Sequence, residues 1–277
     1  MDTSNFREVE PCRPAAGYIG GKKQLARLLI ERIEATPHNL YGEPFVGMGG
    51  VFLRRRRAPR VEVINDRSRD VATFFRVLQR HYQAFMDMLK WQLTSRAEFD
   101  RLRATDPDTL TDLERAARFL YLQRLAFGGK VAGRNFGVQT TGPARFDTAK
   151  LGLQLEAIHE RLAGVTIECL DWRVFFQRWD RPDALFFVDP PYLGSEHFYG
   201  RDLFPPADHV ALAAVLRGLK GRFILTMSDT PEARAIYGGF AVETADLTYS
   251  VRGGDRTTAA REIIVTGSSR LAPAAPD

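Results

Sequence analysis

The tetrapeptide Asp189-Pro190-Pro191-Tyr192 directly follows the apolar segment LFFV and carries the most specific chemistry in the sequence. Two consecutive prolines end a strand and fix the backbone, so the Asp189 carboxylate and the Pro190 carbonyl can point at one spot. Two such acceptors can bind both protons of an exocyclic amine, and Tyr192 can stack on a flat ring. An ordinary strand-ending turn is the alternative. The carboxyl end of a strand in an open α/β sheet is where ligands bind, which favours a site.

A second candidate site is the glycine-rich segment PFVGMGG, residues 44–50, which follows an apparent strand. Gly47 and Gly49 allow the backbone to turn tightly and to approach a ligand closely. Asp66 ends the next strand 19 residues after Gly47, where nucleotide-binding folds place an acid on the ribose hydroxyls. Together these features favour a ligand site over a structural turn. The segment lacks GK[ST], so a triphosphate P-loop is not predicted.

A third candidate is the loop GGKVAGRNFG, residues 128–137, where we predict the tip of a β-hairpin. Lys130, Arg134 and Asn135 lie among glycines there. Arginine can pair with guanine and asparagine with adenine in the major groove. A basic loop that touches only phosphates is an equal alternative.

The charge of the chain supports a polyanionic partner for its middle part. The 277 residues carry a net charge of +5, but residues 54–150 alone contain 20 Lys and Arg against 11 Asp and Glu. Such a patch is typical of nucleic-acid binding, although a general compositional bias toward arginine explains it equally well. The run Arg54–Arg57 favours a solvated helix end over a dedicated DNA contact.

Several protein classes are excluded by composition. No apolar run of about 18 residues is present, so we predict no membrane helix, and MDTSNFREVE is unlike a secretory signal. Cys12 and Cys169 are far apart and neither His197 nor His209 has a ligand-spaced partner, so we predict no disulfide framework and no metal site. A cytoplasmic location fits these observations.

The candidate sites are connected by strands that alternate with helices, which predicts an α/β fold with a mostly parallel, covered sheet. We predict helices over residues 22–35, 51–57, 68–82 and 112–127. We predict strands over residues 40–46, 61–66, 165–171, 184–192, 222–229, 241–251 and 261–266. Residues 74–149 interrupt this alternation with amphipathic helices and read as a helical insert.

The order of the motifs resembles the Dam-like DNA adenine-N6 methyltransferases. The resemblance rests on YIGGK (18–22), EPFVGMGG (43–50), the strand-end Asp66, CLDW (169–172) and DPPY (189–192). It implies transfer of a methyl group from S-adenosyl-L-methionine to the N6 amine of a flipped adenine in double-stranded DNA. The implied fold is a Rossmann-like methyltransferase sheet with an inserted helical target-recognition domain.

The sequence pattern and the resemblance together predict a division of the chain. The expected parts are a flexible arm (1–16), a cofactor-binding and catalytic domain (17–73 and 150–267), a DNA-binding insert (74–149) and a disordered tail (268–277). The implied catalytic residues are Asp189, Pro190, Pro191 and Tyr192. The implied cofactor contacts are Tyr18, Lys22, Glu43, Phe45, Gly47, Gly49, Asp66, Asp171 and Asp189. The expected DNA contacts are Lys130, Arg134, Asn135, Phe198 and Tyr199.

The recognition sequence is not predicted to be GATC. Gly17 stands where GATC readers of this family usually carry a lysine, and the turn at Gly128-Gly129 departs from their pattern. A cognate restriction endonuclease is a further expected partner. Methyl transfer to RNA or to a protein amide, and a regulator that binds DNA without turnover, are the alternatives that the sequence leaves open.

Overall fold

A computed structural model describes residues 6–18, 20–22, 24–131, 133–137, 146–194, 204–250 and 257–268. The strands in this part of the chain are β1 (Arg7–Glu8), β2 (Leu40–Glu43), β3 (Arg57–Ala58), β4 (Val61–Asn65), β5 (Thr166–Glu168), β6 (Ala184–Val188), β7 (Arg222–Ser228), β8 (Ala241–Ser250) and β9 (Thr257–Ser268). The helices are α1 (Ala26–Ala35), α2 (Arg69–Arg80), α3 (Tyr82–Leu89), α4 (Arg96–Ala104), α5 (Asp112–Leu125), α6 (Thr148–Arg161), α7 (Trp172–Trp179), α8 (Ala207–Arg217) and α9 (Pro231–Tyr237). Short 3-10 helices lie at Phe52–Arg54, Pro107–Thr109 and Phe127–Gly129.

The main sheet has the strand order β5-β4-β2-β6-β7-β9-β8. The pairs from β5 to β7 are parallel, whereas β9 runs antiparallel to both β7 and β8. The α/β fold with a mostly parallel sheet is therefore confirmed. All the predicted strands are present, although those that lead into the motifs are shorter than expected, because the chain leaves the sheet where the motif begins.

Both faces of the sheet are covered, and strand β6 shows how the sequence achieves this. All five residues of β6 are apolar and buried. Successive side chains of a strand point to opposite faces. Leu185 and Phe187 accordingly join one hydrophobic cluster, and Phe186 and Val188 join the other. A strand buried on both sides needs a continuous apolar run, and this strand has one.

The helices of the predicted insert lie between β4 and β5 and do not have a core of their own. Phe74, Phe85 and Phe119 belong to the same cluster as Ile64 and Leu185 of the sheet. Helix α5 begins with a capping box between Thr111 and Glu114, which defines its first turn. The insert is thus packed directly onto one face of the sheet, and its exact boundaries remain a prediction.

The N-terminal arm differs from the expected loose segment over its described part, residues 6–16. Strand β1 pairs with β3, and the amide of Cys12 donates to the carbonyl of Leu53 at 2.8 Å. Ala15 is fully buried. Backbone pairing and burial therefore order this segment, which the irregular sequence pattern did not indicate.

The helix predicted over residues 51–57 is also wrong, and the solvated surroundings expected for Arg54–Arg57 hold for Arg56 and Arg57, which are exposed, but not for Arg55. The 3-10 helix ends at Arg54, and Arg55 turns inward to pair with Glu62, which also binds Arg161. Glu62 and both of these arginines are buried. A buried charge is costly unless it is paired, so the chain leaves the helical conformation where Arg55 turns toward Glu62.

The helices of the structure can be compared with the prediction that the chain has no membrane helix. Within the described ranges, no helix combines the length and apolar character needed to cross a lipid bilayer.

Candidate active site

The carboxyl ends of the parallel strands meet at one cavity of about 800 Å³. Glu43 ends β2, Asp66 follows β4 and Asp189 follows β6, and all three line this cavity. Their convergence follows from parallel pairing, because strands that run in one direction end at the same edge. The cavity is in the size range that binds nucleotide-sized molecules.

The glycine turn and Asp66 form one hydrogen-bonded unit. The amide of Gly47 donates to Oδ2 of Asp66 at 3.0 Å, and the amide of Ser68 donates to Oδ1 at 2.8 Å. These bonds hold the carboxylate at the cavity wall. Burial raises the pKa of Asp66 to about 6, although both amide hydrogen bonds act in the opposite direction.

Gly47 needs to be glycine for two reasons. Its φ of +51° lies in the left-handed region, and a Cβ on this residue would come within 2.9 Å of the Tyr18 ring. We expect Gly47→Ala to lower the free energy of unfolding by about 2 kcal/mol, about half of it from backbone strain. Urea unfolding measures this change.

Gly164 provides the matched control for that substitution. Its φ is +76°, but an added Cβ would meet nothing within 4 Å. Gly164→Ala should therefore cost only the strain, about 1 kcal/mol. Equal losses for the two variants would show that the Tyr18 contact carries no weight.

Glu43 is a buried acid at the end of β2. Its side chain accepts a hydrogen bond from the hydroxyl of Tyr41 at 2.6 Å, and the residue is 2% exposed. Burial raises its pKa to about 8, against the hydrogen bond of Tyr41 and the charge of Arg55. The cavity wall thus holds a carboxyl group that a cationic ligand would readily ionise.

Asp189 is held by two donors from distant parts of the chain. Nζ of Lys22 and Oγ1 of Thr226 each lie 2.8 Å from Oδ1 of Asp189. Lys22 is 4% exposed and also donates to the carbonyl of Gly20 at 2.7 Å. Burial raises the pKa of Asp189, and the charge of Lys22 opposes this effect.

Tyr192 is anchored beside this pair. Its hydroxyl donates to Oε2 of Glu262 at 2.7 Å, and Nζ of Lys22 lies 4.6 Å from the centre of its ring. Pro190 is buried, whereas Pro191 lines the cavity. The structure therefore places Lys22, Asp189 and Tyr192 together, with Lys22 and Asp189 among the described residues that line the cavity and Tyr192 behind them.

The comparison with known protein families decides the class. A model of the D12 class N6 adenine-specific DNA methyltransferases matches residues 18–251, which is most of the chain. The chain belongs to this family. It is therefore an adenine-specific DNA methyltransferase, and its substrate class is DNA.

Relatives of this D12 methyltransferase carry consistent names. It is 27% identical to the type II methyltransferase M1.LlaDCHI of Lactococcus lactis subsp. cremoris, over 92% of this chain and 95% of the relative. It is 28% identical to the DNA N-6-adenine-methyltransferase of Escherichia phage P1, over 88% of this chain and 34% of that longer protein. A DNA adenine methylase of Haemophilus influenzae is 24% identical, over 93% and 94% of the two chains.

Of the remaining cofactor contacts expected for the D12 methyltransferase, some line the cavity and others do not. Tyr18 and Phe45 line the cavity. Gly49 has a φ of +73°, and a Cβ on this residue would come within 3.0 Å of the Leu53 side chain. Asp171 is not among the described residues that line the cavity, although its neighbours Leu170 and Trp172 are. It accepts from the amide of Arg173 at 2.9 Å, which caps α7, and it pairs with Arg67.

The predicted DNA-binding loop is closed by an antiparallel bridge between Ala126 and Phe136, in which the amide of Phe127 donates to the carbonyl of Asn135 and the amide of Gly137 to the carbonyl of Leu125. A 3-10 turn over Phe127–Gly129 lies inside this loop, and residues 132 and 138–145 lie outside the described part of the chain. Asn135 is exposed and Lys130 is partly exposed.

Arg134 occupies a different position from the one expected for a groove contact, because it is 9% exposed and donates to Oε1 of Gln123 at 3.1 Å. Burial lowers its pKa to about 10. Phe198 and Tyr199 lie outside the described residues.

Two residues of the site have no counterpart among the sequence predictions. Thr226 lies in β7 and Glu262 in β9, and both are buried polar residues next to buried apolar neighbours such as Leu225 and Ile263. That contrast was the available signal, because buried polar side chains need partners. No cluster of three or more metal-ligating side chains occurs in the part of the chain that the structure describes.

Proposed function

We propose that this enzyme transfers the methyl group of S-adenosyl-L-methionine to the N6 amine of an adenine flipped out of double-stranded DNA. The observation that carries the proposal is the shared cavity. Asp189 of the DPPY motif and the Gly47–Asp66 unit line the same space. A methyl donor bound at the glycine turn would therefore lie next to the acceptors that bind the amine.

The chemistry of the cavity fits this donor. Asp66 has its carboxylate oriented by two amides, which suits the acceptance of hydrogen bonds from ribose hydroxyls. Glu43 offers a buried acid to a positively charged ligand. When bound, S-adenosylmethionine supplies a methyl group on a positively charged sulfur, which becomes a neutral thioether once the methyl has moved to nitrogen.

The residues of the DPPY motif supply the rest of the reaction. The N6 amine is a poor nucleophile because its lone pair is delocalised into the ring. Asp189 and the carbonyl of Pro190 accept both amine hydrogens, which favours a pyramidal nitrogen with its lone pair directed at the methyl carbon. The methylated nitrogen then gives one proton to Asp189, whose pKa is raised by burial, and water removes it.

The target base has to leave the duplex, at a cost of about a few kcal/mol. Tyr192 recovers part of this free energy by stacking on the base. Lys130, Arg134 and Asn135 are the proposed contacts of the insert. Arg134 needs a rearrangement to reach a groove, because it is buried in this structure. Asn135 is exposed and needs none.

The relatives' names support a biological setting for this activity. Two of them are type II methyltransferases, from Lactococcus lactis and from a Chlorella virus. We therefore include a cognate restriction endonuclease in the proposal as a partner.

Asp66→Ala should weaken binding of S-adenosylmethionine by about tenfold or more, since one anionic acceptor is lost. The carboxylate accepts hydroxyl donors best when it is ionised. With a pKa of about 6, affinity in the wild type should therefore fall as the pH drops through 6. Isothermal titration at several pH values between 5 and 9 measures both effects. Asp66→Ala should remove the part of the pH dependence centred near pH 6 and leave the part near pH 8 that belongs to Glu43, and an unchanged dissociation constant would remove Asp66 from the donor site.

The decisive experiment uses S-adenosylmethionine with a labelled methyl group and three acceptors: unmethylated duplex DNA, RNA of the same sequence and protein extract. We expect label only in N6-methyladenine from DNA. Label in RNA or protein with none in DNA would overturn the proposal, and binding of DNA without label in any acceptor would indicate a regulator. Sequencing of the methylated sites then identifies the recognition sequence.

A further inference from the structure

The carboxylate of Asp189 has two oxygens that are used unequally. Lys22 and Thr226 both contact Oδ1, each at 2.8 Å. Oδ2 receives no donor from the described residues. An acceptor that is pinned through one oxygen presents the other in a fixed direction. The carboxylate therefore has one anchored oxygen and one oxygen available to a ligand.

Thr226 reaches Asp189 because of the strand register. Val188 of β6 pairs with Leu225 of β7, so the next residue of each strand lies beside the other. Thr226 is fully buried, which denies its hydroxyl access to bulk water. A buried hydroxyl that is bonded to a charged group is held strongly, so Asp189 has little freedom to rotate.

Glu262 holds the side chain of Tyr192 through a hydrogen bond, as Thr226 holds that of Asp189. Glu262 pairs with Ser228 and Ile264 pairs with Thr226, so Thr226 and Glu262 project from the same face of the sheet. Glu262 is 4% exposed and accepts the hydroxyl hydrogen of Tyr192 at 2.7 Å. This bond fixes the far end of the ring that the base would contact.

We propose that Thr226 and Glu262 are positioning residues for the methyl transfer. Thr226, together with Lys22, directs Oδ2 of Asp189 at the amine, and Glu262 holds the ring of Tyr192 against the base. The inference deepens the proposed function and rests on it. It assigns a positioning role to β7 and β9, which are the next two strands after the DPPY strand β6 in the sheet order.

Thr226→Val removes the hydroxyl while keeping the branched shape, so it tests the first half of the proposal. We expect kcat for DNA methylation to fall about tenfold, with KM for DNA and for S-adenosylmethionine changed less than twofold. Thr226→Ser, which keeps the hydroxyl, should restore kcat to within about twofold of wild type. Thr73→Val, an equally buried threonine in α2, should leave kcat unchanged.

The pH profile separates positioning from simple stability. Among the described residues, the charged and titratable groups that face Asp189 are Lys22, Glu262, Glu43 and the hydroxyl of Tyr192. Loss of the Thr226 hydrogen bond removes an interaction that stabilises the carboxylate, so the pKa of Asp189 should rise. The acid limb of kcat should then move to higher pH in Thr226→Val and stay in place in Thr226→Ser.

Tyr192 and Glu262 are tested together by a double-mutant cycle. Glu262→Leu and Tyr192→Phe should each lower kcat about fivefold, and the double variant should lose no more than the stronger single variant. Glu262→Gln retains an acceptor and should keep kcat within about threefold, which also guards against misfolding of the leucine variant. Additive losses would overturn the role of Glu262.

Different results would refute the proposed function and the positioning role of Thr226. Wild-type enzyme that binds S-adenosylmethionine but labels no DNA would refute the proposed function. Active wild type with unchanged kcat and pH profile in Thr226→Val would leave that function standing and refute the positioning role of Thr226.

Discussion

Asp189→Asn is expected to lower kcat at least about a hundredfold. An amide has a single acceptor oxygen, and here Lys22 and Thr226 both donate to Oδ1. The amide oxygen would turn toward these donors, so its NH2 group would face the N6 amine. Two donors would then meet, and the transition state would lose its charged acceptor.

The measurement is single-turnover methylation of a duplex substrate, with affinity for S-adenosylmethionine as the folding control. Asp183→Asn is the matched substitution, because Asp183 is exposed just before the opposite end of β6. It should have no effect on the rate. Thr226→Val in the Asp189→Asn background removes one of the competing donors and should recover part of the activity. An Asp189→Asn enzyme within threefold of wild type would contradict the division of the two oxygens.

Glu62→Gln is expected to lower the free energy of unfolding by about 3 kcal/mol, the largest stability effect that we predict. Glu62 is the common partner of Arg55 and Arg161, and all three side chains are buried. Loss of its charge leaves two buried guanidinium groups without an anion. The substitution would also loosen the contact between the segment after the glycine turn and helix α6.

Urea unfolding at pH 7 measures this effect, and Glu31→Gln provides the control. Glu31 forms an exposed pair with Arg27 in α1, and its loss should have little effect on the free energy of unfolding because solvent screens the pair. Burial raises the pKa of Glu62, but Arg55 and Arg161 outweigh it, so the pKa lies below its usual value of 4.5. The difference between wild type and Glu62→Gln should therefore be complete above pH 4.5 and shrink as the pH falls below it. A loss equal to that of Glu31→Gln would contradict the role of the buried cluster.

The strands and the motif positions could be predicted because their signals are local. Strand β6 is a continuous apolar run that ends at two prolines, and nothing distant is needed to recognise it. The helix over residues 51–57 and the loose arm failed as predictions for the opposite reason. Arg55 turns inward to reach Glu62, and Arg7-Glu8 is ordered by pairing with Arg57-Ala58.

The charge of the middle part of the chain also could not be interpreted from the sequence alone. Arg115, Arg118 and Arg134 contribute to the basic middle of the sequence, and all three are buried inside the fold. Arg115 pairs with Asp70 at 2.6 Å, and Nε of Arg118 donates to the carbonyl of Leu102 at 2.7 Å. From the sequence, these arginines count toward a basic surface that could bind DNA. In the structure, they are buried and bond to other parts of the chain.

The sequence by itself determined where the acids of the site lie, since each ends a strand and parallel strands end at one edge of a sheet. Only the tertiary structure decided which groups hold them. Thr226 meets Asp189 across 37 residues through the register of two strands. Glu262 meets Tyr192 across 70 residues. Partners of this kind depend on burial and on contacts between distant segments, and no local pattern of residues encodes them.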